Sequence, residues 1–277
     1  MAAPLVSVVV PAYRAEATLA RAVESLRAQT LADWEALIVS DDGRDYRPLL
    51  PADPRLRFLS TGRSGAGAPA ARNVALAAAR GLLVAPLHAD DLYLPRRLAR
   101  LAPPALEAGA PFDDLLVAGE ASGRTLSRPF GRERDFLLAA ADFLRTSVPL
   151  MAVARRDGLA PWDPEIELCD DVAFNLRLFA RAGGALPVIA EPLHEYRVRA
   201  GSICHADDSA ERAERGYTRL LERLAADGYG LGDPALESEA AAAIAAKRRL
   251  NRAFAAARAA GRVETFQDFV AQGLARL

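Results

Sequence analysis

Lysine is nearly missing from this sequence: Lys247 is the only one, so arginine carries almost all of the 35 basic residues set against 36 acidic ones. The formal net charge is −1, which leaves no global field to gather nucleic acid or an anionic membrane. Any partner must be recognised locally. Arginine this common beside so much alanine reads as a compositional bias, so no single arginine counts as a phosphate clamp on its own. Cysteine is equally scarce. Cys169 and Cys204 are too few for a disulfide framework, and a reduced, cytoplasmic compartment is the simpler expectation. Long apolar runs are absent too. Leu5 to Val10 is too short for a signal-peptide core or a membrane span, and no stretch reaches about 18 uninterrupted apolar residues. Membrane contact is expected to be peripheral, at the inner face, if it occurs. What the chain does have is 277 residues with 51% hydrophobic content, ample for one large core or a core with an appended subdomain.

The first hundred residues alternate short apolar runs with helical patterns, as parallel α/β proteins do. Val6 to Val10 reads as a buried strand, followed by Pro11-Ala12-Tyr13 as a strand-end loop. A helix is expected from about Thr18 to Ala28, with Leu19, Val23 and Leu26 at helical spacing. Trp34 to Val39 is the second strand and ends in Ser40-Asp41-Asp42-Gly43. A third strand is expected near Leu56 to Ser60, a helix near Pro69 to Ala79, and a buried strand from Leu82 to Leu87 that runs into His88-Ala89-Asp90-Asp91. Between about 92 and 206 the pattern is less regular, with strands at Pro149 to Ala154 and Pro187 to Ala190. A helix from about Asp171 to Ala182 stops at Gly183-Gly184. From Asp207 onward the periodicity is helical: Arg212 to Ala226, Pro234 to Ala260 and Val263 to Ala275. The organisation expected is a domain over residues 1–206 and a helical appendage over 207–277, whose apolar stripe packs on the domain or joins two copies as a homodimer.

In an open parallel sheet, ligands bind outside the carboxyl ends of the strands. Three polar clusters at three such ends therefore point to one site. Asp41, Asp42, Asp90 and Asp91 are all acidic, and carboxylates repel phosphate, so a pyrophosphate-bearing ligand would need a divalent cation as a bridge. Mg²⁺ or Mn²⁺ suits oxygen ligands and commonly binds through one or two carboxylates plus substrate phosphates. For any one of these aspartates the plain alternative is a turn former or helix cap.

Several segments, in order, resemble the family two glycosyltransferases. Val6 to Tyr13 is similar to their opening strand and loop, and Val39-Ser40-Asp41-Asp42-Gly43 to their acidic nucleotide-reading turn. Gly65-Ala66-Gly67-Ala68-Pro69-Ala70-Ala71-Arg72-Asn73 resembles their glycine-rich segment leading into an Ala-Arg-Asn helix. His88-Ala89-Asp90-Asp91 resembles the metal motif. Cys169-Asp170-Asp171 with Leu176-Arg177-Leu178 resembles the acidic pair that bears the base, and Glu191 to Arg197 resembles the closing Pro-Leu and Tyr-Arg signature. The resemblance spans roughly residues 4 to 206. It implies a GT-A fold, a mixed Rossmann-like sheet with helices on both faces, and an inverting transfer of a sugar from a nucleotide donor to an acceptor hydroxyl.

It also implies residue roles. Asp171 is the base, and Pro11, Tyr13, Asp41, Asp42, Arg72, Asp90, Arg197 and Arg199 bind the donor. Asp41 reads the base of the nucleotide, while Arg72 serves either the donor site or a structural ion pair. Asp90, with Asp91, His88 and His205 as candidates, holds Mn²⁺ or Mg²⁺. The chain departs from the pattern twice, with His88 where the family usually has Asp and Arg199 where it commonly has His; either His205, six residues further on, takes that place or Arg199 meets the donor phosphates directly by bidentate bonding. The partners implied are a nucleotide-sugar donor and an unidentified acceptor, whether a sugar, a lipid-linked glycan or another hydroxyl. Three other readings stand beside this one. A sugar-nucleotide-binding protein without turnover would use the same fold. A nucleotidyltransferase would release pyrophosphate, although its basic glycine-rich loop after the first strand is missing. Gly65 to Ala70 also fits a loose dinucleotide fingerprint, but the fingerprint needs its first glycine directly after a strand, and Gly62-Arg63-Ser64 intervenes.

Overall fold

The computed structural model describes residues 3–199, 206, 208–264, 266, 269 and 272. Four parallel strands, β1 (Val6–Ala12), β2 (Trp34–Ser40), β3 (Leu56–Ser60) and β4 (Leu83–Pro86), lie in the order β3-β2-β1-β4. Every residue of β2 and all but Pro11 of β1 are buried, as expected of parallel strands covered on both faces. The alternation of side chains decides which helix each residue meets. Val6, Val8 and Val10 pack with Leu19, Val23 and Leu26 of α1 (Leu19–Arg27). On the opposite face Val9, Leu37 and Val39 meet Ala71 and Ala75 of α2 (Ala68–Ala78). At the end of the sheet where the strands begin, the buried Glu35 carboxylate accepts from Ser7 Oγ at 2.7 Å and from Arg57 and Arg80 at 2.9 and 2.7 Å. The polar loops all lie at the other end.

A second sheet carries the less regular middle of the chain. Its strands are β5 (Leu92–Tyr93), β6 (Phe112–Gly119), β7 (Thr125–Ser127), β8 (Phe136–Ala139) and a 14-residue strand, Ala185–Val198, numbered β10 after the short β9 (Ala154–Arg155) on the edge of the first sheet. β10 runs parallel to β6, while β8 and β5 pair antiparallel with its first and second halves. Together the sheets and flanking helices form the mixed α/β architecture the sequence suggests.

Several elements differ from expectation. The strand expected at Pro149 to Ala154 is reduced to β9, because side chains take its carbonyls: Asn175 donates to Leu150 O and Arg97 to Met151 O. The strand expected at Pro187 to Ala190 extends to Val198, with irregularities either side of Pro192 absorbing the proline. Helix α3 (Arg97–Ala108) and strand β6 have no counterpart in the sequence reading. α3 contains Pro103 and Pro104, each removing a backbone donor. The buried Arg97 guanidinium anchors its start, pairing with Asp113 of β6 at 2.8 Å and lying over the Tyr93 ring.

After α4 (Ala140–Phe143) and α5 (Asp170–Arg181) come α6 (Ser209–Asp227) and α7 (Pro234–Ala259). Leu220, Leu224, Leu236, Ala240 and Ile244 of this tail belong to the same apolar core as Phe143, Leu150 and Phe179. A smaller cluster around Phe254, Ala257, Val263 and Phe269 lies beyond it. The helix expected at Val263 to Ala275 falls largely outside the described residues. No helix among the described residues is long and apolar enough to cross a membrane.

Candidate active site

β1 and β2 deliver the first residues of the site. Pro11 lies near the end of β1, and Tyr13, just beyond, is 47% exposed, with the Arg14 guanidinium over its ring, 5.2 Å from the centroid. The Asp41 carboxylate is turned inward. It accepts from the backbone N–H groups of Ala66 and Gly67 and from Thr61 Oγ1, each at 2.9 Å. Asp41 thereby shapes the glycine-rich segment. Gly65 and Gly67 have φ of 72° and 94°, a region side chains rarely adopt, so the loop can fold back over the aspartate. Asp42 is similarly occupied, accepting from Arg14 N at 2.7 Å and Tyr46 Oη at 2.8 Å. Burial opposes its ionisation, but the bonds from Arg14, Arg44, Tyr46 and Ser40 hold its pKa below the usual range.

The loop feeds α2, whose first turns carry Arg72 and Asn73. Arg72 is 2% exposed. Its guanidinium pairs with Asp170 at the start of α5 and also meets His88 Nε2 at 2.9 Å. A guanidinium only donates, so His88 Nε2 accepts and Nδ1 carries the proton toward Asp91 Oδ2, 3.0 Å away. Burial disfavours a charged His88, yet the adjacent Asp91 outweighs this and raises its pKa. Asn73 makes a two-point bond with the backbone of Trp162, 2.8 Å in each direction. The Ala-Arg-Asn helix thus ties the acidic pair of α5 and the loop before it to the glycine-rich segment.

Asp90 and Asp91 are adjacent but differently placed. Asp91 is fully buried. One oxygen accepts from Arg197 N at 2.9 Å; the other faces His88 and lies 3.3 Å from His194 Nε2, close enough for attraction but out of line for a hydrogen bond. Burial disfavours its charge, but the two histidines more than compensate and drive its pKa far down. Asp90 is partly exposed, with Arg199 Nη2 3.7 Å away. Burial, then repulsion from Asp91, raises its pKa. Ligand atoms of His88, Asp90 and Asp91 lie within 4.8 Å of one another. Both ring nitrogens of His88 are engaged and Asp91 is enclosed, so Asp90 offers the accessible carboxylate. Arg197 is held by Glu120 and Glu195. His205 lies outside the described residues.

The last pair sits at the start of α5. Cys169, immediately before it, has φ 65° and ψ 19°, the left-handed region. The Asp170 carboxylate is clasped by Arg72, whereas Asp171 has no ion-pair partner among the described residues. Burial, and secondarily the charge of Asp170, raises the Asp171 pKa to about 6. α7 brings Lys247 near this pair. Its Nζ donates to Thr146 O at 2.6 Å, and although burial lowers its pKa, Asp171 and Cys169 draw it back. The one lysine stands out in the sequence, but its proximity to Asp171 depends on how the tail folds back and has no local signature.

Comparison with known proteins bears on the family and the fold. The model of "Glycosyl transferase family 2" matches residues 7–137. A 97-residue stretch, 34% of this chain, is 38% identical to the Escherichia coli UDP-Glc:alpha-D-GlcNAc-diphosphoundecaprenol beta-1,3-glucosyltransferase WfgD and covers 38% of it. A 110-residue stretch, 39% of the chain, is 41% identical to the succinoglycan biosynthesis protein ExoO of Rhizobium meliloti (strain 1021) and covers 31% of it. The matched region thus spans about a third of the length of these relatives. The crystal structure of S. aureus TarS has a TM-score of 0.61 at 20% identity, over 89% of this chain and 43% of that one. TarS 1–349 in complex with UDP has a TM-score of 0.55 at 19% identity, over 97% and 91%. The chain therefore has the GT-A fold and, over its first half, is related to the family two glycosyltransferases.

Proposed function

We propose that this chain is an inverting glycosyltransferase that moves a sugar from a nucleoside diphosphate donor to an acceptor hydroxyl in polysaccharide or glycoconjugate assembly. The observation that carries the proposal is the division of labour at α5. Arg72 clasps Asp170, while Asp171 is free of ion pairs among the described residues and has its pKa raised to about 6. A carboxylate in that range is ionised at neutral pH yet more basic than an ordinary aspartate, which suits a general base. Asp171 takes the acceptor proton as the acceptor oxygen attacks the anomeric carbon. The bond from that carbon to the diphosphate oxygen breaks on the opposite side, and the nucleoside diphosphate leaves.

The donor lies across the strand ends. Tyr13, exposed at the end of β1, is placed to stack on the nucleobase, and Asp41 and Asp42 shape the site through the loops they hold. The site suits a divalent cation bound through one protein carboxylate, Asp90, whose charge burial and Asp91 leave poorly compensated, with donor phosphates completing the shell. When bound, Mg²⁺ or Mn²⁺ stabilises the negative charge of the departing diphosphate. Arg199, 3.7 Å from Asp90, adds a second positive charge for the phosphates.

The uridine diphosphate sugar in the name of WfgD and the UDP bound to TarS make UDP-sugars the first donors to test. A nucleotide-sugar screen is read by nucleoside diphosphate release with and without Mn²⁺, for the wild type and Asp90→Ala. Acceptor-dependent release that needs Mn²⁺ and is lost in Asp90→Ala supports the proposal. Binding without release identifies a sugar-nucleotide-binding protein, and pyrophosphate release identifies a nucleotidyltransferase.

A further inference from the structure

The approach to Asp171 is held from outside the GT-A sheet as well as from within it. The loop before α5 carries Asp163, Glu165 and Glu167. Along one stripe of α6, at helical spacing, lie Arg212, Gly216, Arg219 and Arg223. Arg212 pairs with Glu167, Arg219 and Arg223 both pair with Glu165, and Arg223 Nε lies 3.5 Å from Asp163. In the middle of that stripe Gly216 is buried. A Cβ there would run into the Leu168 carbonyl oxygen, lie 3.1 Å from the Leu168 carbonyl carbon and come within 3.5 Å of Cys169 Sγ. Glycine in a helix interior costs roughly 0.5–1 kcal/mol relative to alanine. Helix propensity therefore does not account for this residue, whereas the close backbone approach does.

The segment under this contact is the one that needs support. Cys169 is a non-glycine residue in the left-handed region, a conformation that persists only where the surroundings over-determine it. It immediately precedes Asp170 and Asp171, so its backbone angles set where both carboxylates point. From α2, Asn73 holds the loop and Arg72 holds Asp170; α6 meets the same segment at Leu168 and Cys169.

We infer that Gly216 is a positioning residue for the transfer reaction: it lets α6 rest on Leu168 and Cys169, so the C-terminal helices fix the placement of Asp171. The inference rests on the assignment of Asp171 as the base. It gives the tail a part in turnover, separate from donor binding.

The test compares the full chain with Gly216→Ala, with Arg219→Gln/Arg223→Gln, and with Phe254→Leu as a control that alters the separate tail cluster. Three quantities are read: kcat for transfer, affinity for UDP by calorimetry, and amide hydrogen exchange over residues 168–174. Gly216→Ala should lower kcat by about 10²-fold, the scale of a displacement near 1 Å. UDP affinity should stay within about twofold, and exchange over 168–174 should quicken. The ion pairs of these partly exposed arginines contribute less, so the double variant should change kcat and exchange in the same direction by a smaller factor. Phe254→Leu should leave kcat and that exchange as in the wild type. Unchanged kcat in Gly216→Ala, a matching loss of UDP affinity, or an equal loss of kcat in Phe254→Leu would overturn the inference. A wild-type chain that transfers no sugar would refute the proposed function. In that case, faster exchange in Gly216→Ala would still support the packing role, and unchanged exchange would overturn that as well.

Discussion

Asp170 and Asp171 are adjacent residues of one type at one helix start, and only their surroundings separate them. Arg72 keeps Asp170 paired, whereas burial and the Asp170 charge raise the pKa of Asp171 to about 6. A base works only when deprotonated, so kcat/KM should be level above about pH 7. It should fall as pH drops through about 6, approaching tenfold per pH unit below that. A pH–rate profile level down to pH 5 would contradict the raised pKa. Identities at the strand ends and at α5 were legible in the sequence because they occupy short motifs beside strong apolar runs. Their bonding was not. Nothing local shows that Asp41 turns inward to hold Ala66 and Gly67, or that Arg72 reaches Asp170, 98 residues away. Nor does it show that His88 spends both ring nitrogens within the protein, which leaves Asp90 as the accessible acid of its motif.

At the scale of elements, the parallel strands β1, β2 and β4 could be read because they are buried almost throughout and mostly apolar. The second sheet could not. β6 opens Phe112-Asp113-Asp114, and its buried acids are tolerated because Arg97 pairs with Asp113, while Arg128 and the N–H groups of Leu115, Phe130 and Gly131 satisfy Asp114. Pro103 and Pro104 hide α3 in the same way, and Pro192 hides the continuity of β10. A comparable buried charge joins β1 to β2. Glu35 loses hydration, but its bonds from Arg80, Ser7 and Arg57 prevail and lower its pKa from 4.5 to about 2. A depressed folded-state pKa contributes stability that is present above the unfolded value and lost as pH falls through the folded one. Glu35→Gln should therefore be less stable than the wild type near pH 6, with the gap narrowing between about pH 4.5 and 2. Urea unfolding midpoints across that range check this. A gap independent of pH would mean that the Glu35 charge is not what its partners stabilise.

For the molecule as a whole, two halves of unlike regularity share one purpose. The parallel sheet brings the ends of β1, β2 and β4 to one side, and α2 connects them to the acidic pair of α5. The tail, whose helices α6 and α7 were plain from periodicity, packs into the main core and rests on the loop leading to that pair. This long-range closure could not be read from the sequence, because helical periodicity gives a helix a face but not the partner of that face. The central claim is that Asp171 is the base while Asp170 is held by Arg72. The most direct measurement sets single-turnover sugar transfer by Asp171→Asn and Asp170→Asn beside their UDP affinities. Asp171→Asn should bind UDP as the wild type does and transfer at least about 10²-fold more slowly, with Asp170→Asn losing much less. Near wild-type transfer by Asp171→Asn, with Asp170→Asn inactive, would move the base to Asp170 and contradict the claim.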